Sequence, residues 1–109
     1  MKILFASLFI ISSLFAGEIN VAIAANVSYA IGELKAEFAK SNPGAKVRVT
    51  LGSSGKLTSQ IKNGAPYGIF MSANMKYPEA LFEDKLAIMK PIVYAKGELA
   101  YFSVKPRDF

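Results

Sequence analysis

From Ile19 to Ala25 the chain reads Ile-Asn-Val-Ala-Ile-Ala-Ala. Apart from Asn20 this run is continuously apolar, the pattern of a strand covered on both faces. Asn26-Val27-Ser28 is a polar break able to cap a helix. Val27, Ala30, Ile31, Leu34 and Phe38 then recur at offsets 0, 3, 4, 7 and 11, which predicts an amphipathic helix. Glu33, Lys35, Glu37 and Lys40 fall largely on its opposite face, and Ser41-Asn42-Pro43-Gly44 is a turn cluster that ends it. A second strand is expected from Lys46 to Leu51, then the turn Gly52-Ser53-Ser54-Gly55, then a short helix to Asn63 with Leu57 and Ile61 four residues apart. Gly64 is placed to terminate that helix as its C′ residue, and Pro66 forbids its continuation. Ile69-Phe70-Met71 predicts a third strand ending at Ser72-Ala73-Asn74. Tyr77 to Lys85 predicts another helix, with Pro78 in its first turn and Leu81 and Phe82 facing inward. Ile92-Val93-Tyr94 and Leu99 to Val104 are strand-like, separated by Lys96-Gly97-Glu98. The order β-α-β-α-β-α-β-β predicts an α/β domain with a mostly parallel sheet flanked by helices.

At 109 residues the chain is long enough for one small domain. With 52% hydrophobic and 19% charged residues, the composition is not that of a disordered chain. It has no cysteine, which excludes a disulfide framework and thiolate chemistry, and no histidine, the commonest general base and metal ligand. Met1-Lys2, the apolar run Ile3 to Phe15 and then Ala16-Gly17-Glu18 have the form of a secretory signal peptide. The run is too short to span a bilayer, which takes about 20 apolar residues. The expected division is therefore a leader over 1–16 and one exported domain over 17–109, located in the periplasm. Loss of Lys2 with the leader leaves 12 basic residues against 8 acidic ones, a charge of +4. That excess is scattered over Lys35, Lys40, Lys46, Arg48, Lys56 and Lys62, whereas nucleic-acid binding wants a basic face with interleaved aromatics. No linker, low-complexity tract or internal repeat interrupts the sequence.

Candidate chemistry sits at the turns. In a parallel sheet with right-handed crossovers, the C-terminal ends of the strands share one edge, and so do the N-termini of the helices that follow. The turns at Asn26, at Ser53-Ser54 and at Ser72 are therefore expected on a common rim. Helix N-termini carry unpaired N–H groups and a partial positive charge, so their convergence suits an anion. Ordinary capping at each turn, with Ser53 and Ser54 as cap residues, is the competing account.

The motifs carrying a family resemblance lie along these same turns. Val21-Ala22-Ile23-Ala24-Ala25-Asn26-Val27, Leu51-Gly52-Ser53-Ser54-Gly55-Lys56-Leu57, and Gln60-Ile61 with Gly64-Ala65-Pro66 and Ile69-Phe70-Met71-Ser72-Ala73-Asn74 resemble the periplasmic molybdate-binding proteins of ABC importers. The resemblance covers Glu18 to about Val104. It implies a type II solute-binding protein, whose two lobes clamp molybdate or tungstate between serine hydroxyls and backbone N–H groups of the first lobe and N–H groups plus a tyrosine hydroxyl of the second. Carried over, the first-lobe ligands fall on Asn26 and Ser54, with Ser53 beside them. Asn26 stands where many members have Ser, Gly68 where the family usually has Asp, and Asn74 where it often has Asp. The resemblance implies a crossing into the second lobe near the end of this sequence, so an incomplete first lobe is expected.

The expected function is binding of molybdate or tungstate for delivery to the membrane permease of an ABC importer. The expected protein is a monomer with no cofactor, no nucleic-acid partner and no directly bound metal cation. Affinity is expected to be impaired in the shortened chain. A non-binding fragment, or a receptor for another tetrahedral oxyanion such as sulfate, are the alternatives. A site built only of donors favours a fully ionised dianion over hydrogen phosphate, which needs an acceptor. No enzyme activity is expected: a hydrolase built on Ser54 needs a base, and only Lys56 stands close in sequence.

Overall fold

The computed structural model describes residues 17–98, 100 and 102–106. The leader expected over 1–16, and Leu99 and Tyr101 of the last expected strand, lie outside the described residues.

The apolar run near the start forms β1 (Glu18–Ala24), the central strand of a three-stranded sheet. It pairs in parallel with β2 (Lys46–Gly52) on one side and with β3 (Ile69–Met71) on the other. Central placement accounts for its composition. Val21, Ala22, Ile23 and Ala24 are all buried, and successive residues of a strand point to opposite faces, so both faces must be apolar. On one face Val21 and Ile23 cluster with Val27, with Ile19, Ile31, Val47, Val49 and Met71 packed around them. On the other face stand Ala22 and Ala24, whose small side chains allow a helix close to the sheet. That helix is α2 (Ser54–Lys62), which lies against β1 and is in turn packed by α3 (Lys76–Glu83). Leu57 of α2 and Leu81 of α3 are buried there, both at inward positions of short amphipathic helices. The remaining helix, α1 (Ile31–Ser41), connects β1 to β2.

The α/β class and parallel sheet agree with the sequence pattern, but two expectations fail. The first helix was expected to begin at the Asn26-Val27-Ser28 break with Val27, Ala30, Ile31, Leu34 and Phe38 on one face. Instead Ala25–Val27 is a 3₁₀ turn, and α1 starts only at Ile31; of Ile31, Leu34 and Phe38 only Ile31 packs on the core cluster. Bonds from Ser28 N–H to Ala25 O (3.1 Å) and from Ala30 N–H to Val27 O (3.0 Å) tighten this corner. The tightening lets Val27 close the end of the β1 cluster, and it leaves α1 with no fully buried residue, Leu34 and Phe38 being exposed. The second failure is at the end of the chain. No described residue beyond Glu83 belongs to a strand or helix, although Ile92-Val93-Tyr94 and much of 99–104 have strand composition. Ile92, Val93, Phe102 and Val104 are exposed there, and a strand without a neighbour has no ladder to join.

Helix termination follows the expected chemistry at one end and departs from it at another. After α2, Gly64 (φ +89°) donates to Ile61 O (3.0 Å) and Ala65 N–H donates to Gln60 O (2.9 Å), the paired bonds of a Schellman ending. After α3 the same pair recurs, Lys85 N–H to Phe82 O (3.0 Å) and Leu86 N–H to Leu81 O (2.9 Å), but the left-handed residue is Lys85 at φ 60°. A side chain there meets the Cβ penalty that glycine avoids. Lys85→Gly should therefore stabilise the fold by about 1 kcal/mol, read as a higher midpoint in urea unfolding. An unchanged or lower midpoint would show that Lys85 carries no such strain.

Candidate functional site

The register fixes the site. Ala24 at the end of β1 is opposite Gly52 at the end of β2, and Ile23 is opposite Met71 at the end of β3. Three turns therefore leave the sheet side by side on one rim. Two residues past β1 stands Asn26, two past β2 stands Ser54, and two past β3 stands Ala73.

At the middle turn the two serines have different tasks. Ser53 is the N-cap of α2 with extended backbone (φ −70°, ψ 148°), and its Oγ accepts from Lys56 N–H at 3.2 Å. Its carbonyl accepts from Leu57 N–H at 3.0 Å. The bond from Lys56 uses one of the orphan donors of the helix start, and the bond from Leu57 is the first regular i→i−4 bond of α2; the N–H groups of Ser54 and Gly55 have no partner among the described residues. Ser54 is buried, and its Oγ accepts from Ala73 N–H at 2.9 Å, which ties the start of α2 to the turn after β3. Because Oγ is the acceptor in that bond, the hydroxyl hydrogen is left to donate elsewhere. The Ser54 carbonyl is also engaged, accepting from Thr58 Oγ1 at 2.7 Å.

Asn26 is exposed, and its side chain has no hydrogen-bond partner among the described residues. It stands within the 3₁₀ turn and not at the N-terminus of α1, which begins five residues later, so the α1 dipole is not aimed at it. The neighbouring Tyr29 stands almost wholly in solvent. On the third turn Ser72 Oγ accepts from Asn74 N–H at 3.3 Å, and Ser72 O accepts from the Tyr94 hydroxyl at 3.4 Å.

The three turns carry hydroxyls, amides and one lysine, Lys56, and no carboxylate. Such a set offers donors to a negative ligand and repels none of its charge. The structure adds Ala73, which side-chain reasoning passed over. Its contribution is a backbone N–H, for which an alanine gives no sign; the signal was positional, the turn after a parallel strand on the shared rim. A cavity of about 350 Å³ lined by Glu79, Phe82, Glu83, Lys90 and Pro91 includes none of the rim residues. Two of its lining residues are acids, so an anion finds no advantage there. Among the described residues no three His, Cys, Asp or Glu side chains converge to hold a metal ion, and no helix is long and apolar enough to cross a membrane.

Comparison with known proteins places these turns in context. The chain is 36% identical over 92 residues to the molybdate-binding protein ModA of Azotobacter vinelandii and 35% identical over 92 residues to that of Rhodobacter capsulatus. Each match takes in 84% of this chain and 36% of the relative, so the chain spans about a third of the length of these relatives. Among solved structures, a substrate-binding domain assigned to a molybdenum ABC transporter from Clostridium difficile superposes with a TM-score of 0.61 at 37% identity, over 62% of this chain and 30% of that one. The periplasmic molybdate-binding protein of Azotobacter vinelandii superposes with a TM-score of 0.58 at 40% identity, over 62% and 29%. The model of the bacterial extracellular solute-binding proteins matches residues 19–107, most of the sequence, and the chain belongs to that family.

Proposed function

We propose that this chain is exported to the periplasm and binds molybdate or tungstate at the rim formed by Asn26, Ser54 and the N–H groups beside them, as part of delivery to an ABC importer permease. The observation that carries the reading is the bond from Ala73 N–H to Ser54 Oγ. It joins two turns that are distant in sequence and presents the Ser54 hydroxyl as a donor beside two unpaired helix N–H groups. Identity of more than a third to molybdate-binding proteins supports the same ligand class.

The chemistry suits a tetrahedral dianion. Hydrogen bonds to a charged oxygen are roughly twice as strong as neutral ones, so a few O–H and N–H donors suffice without a paired cation. The positive end of α2 adds a fraction of a charge. Ser53 supports the site through the cap, and its side chain has its hydroxyl hydrogen left to give. Asn26 contributes an amide NH₂ as donor and an amide oxygen that a fully ionised oxyanion does not use. Ser54 serves as a ligand and not as a nucleophile, and the reading calls for no turnover of esters or amides by any variant.

Affinity is limited by exposure. Asn26 and Ser53 face solvent, so water competes for the bound anion on the open side of the rim. Titration of the 109-residue chain with sodium molybdate, followed by amide resonances, should move Ser54, Gly55 and Ala73 with a Kd weaker than about 1 μM. Equal ionic strength of sodium sulfate should leave them in place. A response to sulfate alone would identify a different oxyanion, and no response to either would remove the binding reading. Ser54→Ala should weaken molybdate binding roughly tenfold or more, since it deletes a donor and strands Ala73 N–H.

Export is tested separately by expressing the full chain in a Gram-negative host and weighing the periplasmic product intact. The mass should correspond to a chain beginning near Gly17. Retention of Met1 in a cytoplasmic product would overturn the assignment of a leader.

A further inference from the structure

Gly55 occupies the first turn of α2, where one of the two free N–H groups lies, and the space beside it is already taken. A Cβ at position 55 would stand 3.1 Å from the Tyr77 hydroxyl oxygen, 3.5 Å from Tyr77 Cζ and 3.8 Å from Cε1. The first distance is tighter than an ordinary carbon contact, so the neighbour would have to give by a few tenths of an ångström; the others are ordinary contacts. Tyr77 stands in the first turn of α3, just past the rim turn Ser72-Ala73-Asn74, and is half-buried. The tip of its side chain therefore reaches across from one rim element to the next.

We propose that Tyr77 is a positioning residue for the anion rim: its hydroxyl end, fitted into the space left by Gly55, sets where the first turn of α2 stands relative to the turn after β3. The inference rests on the anion reading above. Two further contacts make the placement coherent. Ser54 Oγ, one residue before Gly55, accepts from Ala73 N–H in the turn that leads into α3, at 2.9 Å. At the other end of the helix pair, Lys62 Nζ meets Asp84 Oδ2 at 3.4 Å, in an exposed ion pair of small energetic weight. Between them Leu57 and Leu81 are buried, so α2 and α3 share an apolar seam. Displacing the tip of Tyr77 moves the start of α2, where Ser54 and Gly55 carry the donors, while the seam stays closed. Hydrogen bonds weaken steeply with misalignment, so a small shift there matters more to a ligand than to the fold.

The test is Gly55→Ala made in two backgrounds, the native chain and Tyr77→Phe. With the hydroxyl removed, the nearest remaining ring atom is at ordinary contact distance, and the alanine fits. In the native background Gly55→Ala should weaken sodium molybdate binding by roughly threefold or more, and in the Tyr77→Phe background it should change binding by less than about twofold. The melting temperature supplies a readout free of ligand. In the Tyr77→Phe background Gly55→Ala should raise it, because alanine is the better helix former, and in the native background that gain should be absent. Equal weakening in both backgrounds, or no weakening in the native one, overturns the positioning role. Failure of the native chain to respond to molybdate removes the anion reading. The two melting comparisons then still decide whether Tyr77 and Gly55 are coupled, and equal shifts in both backgrounds would show that they are not.

Discussion

The parallel, in-register pairing of β1 with both of its neighbours is the constraint on which the rest of the molecule depends. Parallel strands must all leave the sheet at the same edge, and the register from Glu18–Lys46 to Ala24–Gly52 leaves no stagger between the first two turns. Had β2 run antiparallel, Ser54 would lie at the opposite end of the sheet from Asn26 whatever their side chains. The cost of this arrangement is a central strand buried on both faces, and the run Val21-Ala22-Ile23-Ala24 meets it with an aliphatic face toward the Val27 cluster and an alanine face toward α2. The same four residues thus decide both the core and the location of the rim.

Within that frame, the two adjacent serines have different hydrogen-bonding tasks, Ser53 capping α2 and Ser54 tying it to the turn after β3. The first turn of α2 has four orphan N–H groups, and a fully capped turn would have nothing to offer. Ser53 takes Lys56 N–H on its hydroxyl and Leu57 N–H on its carbonyl, which holds the turn together. Ser54 faces the other way, buried against the β3 turn, with its hydroxyl oriented by Ala73 N–H. Orientation matters because an unconstrained hydroxyl must lose rotational freedom on binding, whereas one whose oxygen already accepts a bond has fewer directions left for its hydrogen.

Much of this was legible in the residues, and the places where it was not share a cause. Strand β1, the ends of α2 and β3, and the Gly64 terminator are set by local rules: continuous apolarity, a serine cap and a glycine at positive φ. Periodicity, in contrast, says which side of a helix is apolar and nothing about whether a partner lies beneath it. Ile31, Leu34 and Phe38 keep their helical spacing, yet only Ile31 packs on the sheet cluster, because the 3₁₀ corner sends α1 off at a different phase from the one Val27 suggested. Ile92-Val93-Tyr94 has strand composition without a strand, since pairing is a property of two segments and composition belongs to one. At the rim, Asn26 and Ser54 carried a chemical signal, whereas what Ala73 and Gly55 bring to the proposed site is a backbone N–H and an absent side chain. Neither is visible until the turns are brought together.

For the proposed anion site, a rim of neutral donors needs no cation aimed at the ligand. Lys56, the one lysine of these turns, is exposed; a lysine or arginine aimed at the ligand would neutralise a dianion strongly, but it would attract any anion of sufficient charge and hold it through long flexible contacts. Fixed N–H and O–H groups respond instead to where the ligand's oxygens lie and to whether those oxygens carry protons. A hydrogen phosphate brings a proton that needs an acceptor, and few rim atoms offer one beside the Asn26 amide oxygen, whereas a molybdate oxygen brings only lone pairs. Selectivity of that kind depends on the donors keeping their places to within a fraction of an ångström, and so on the stiffness of the turns that bear them. The Ser54–Ala73 bond and the fit of the Tyr77 tip beside Gly55 are short-range restraints between the start of α2 and the segment running from the β3 turn into α3, and in the proposed site together they supply that stiffness where α2 begins.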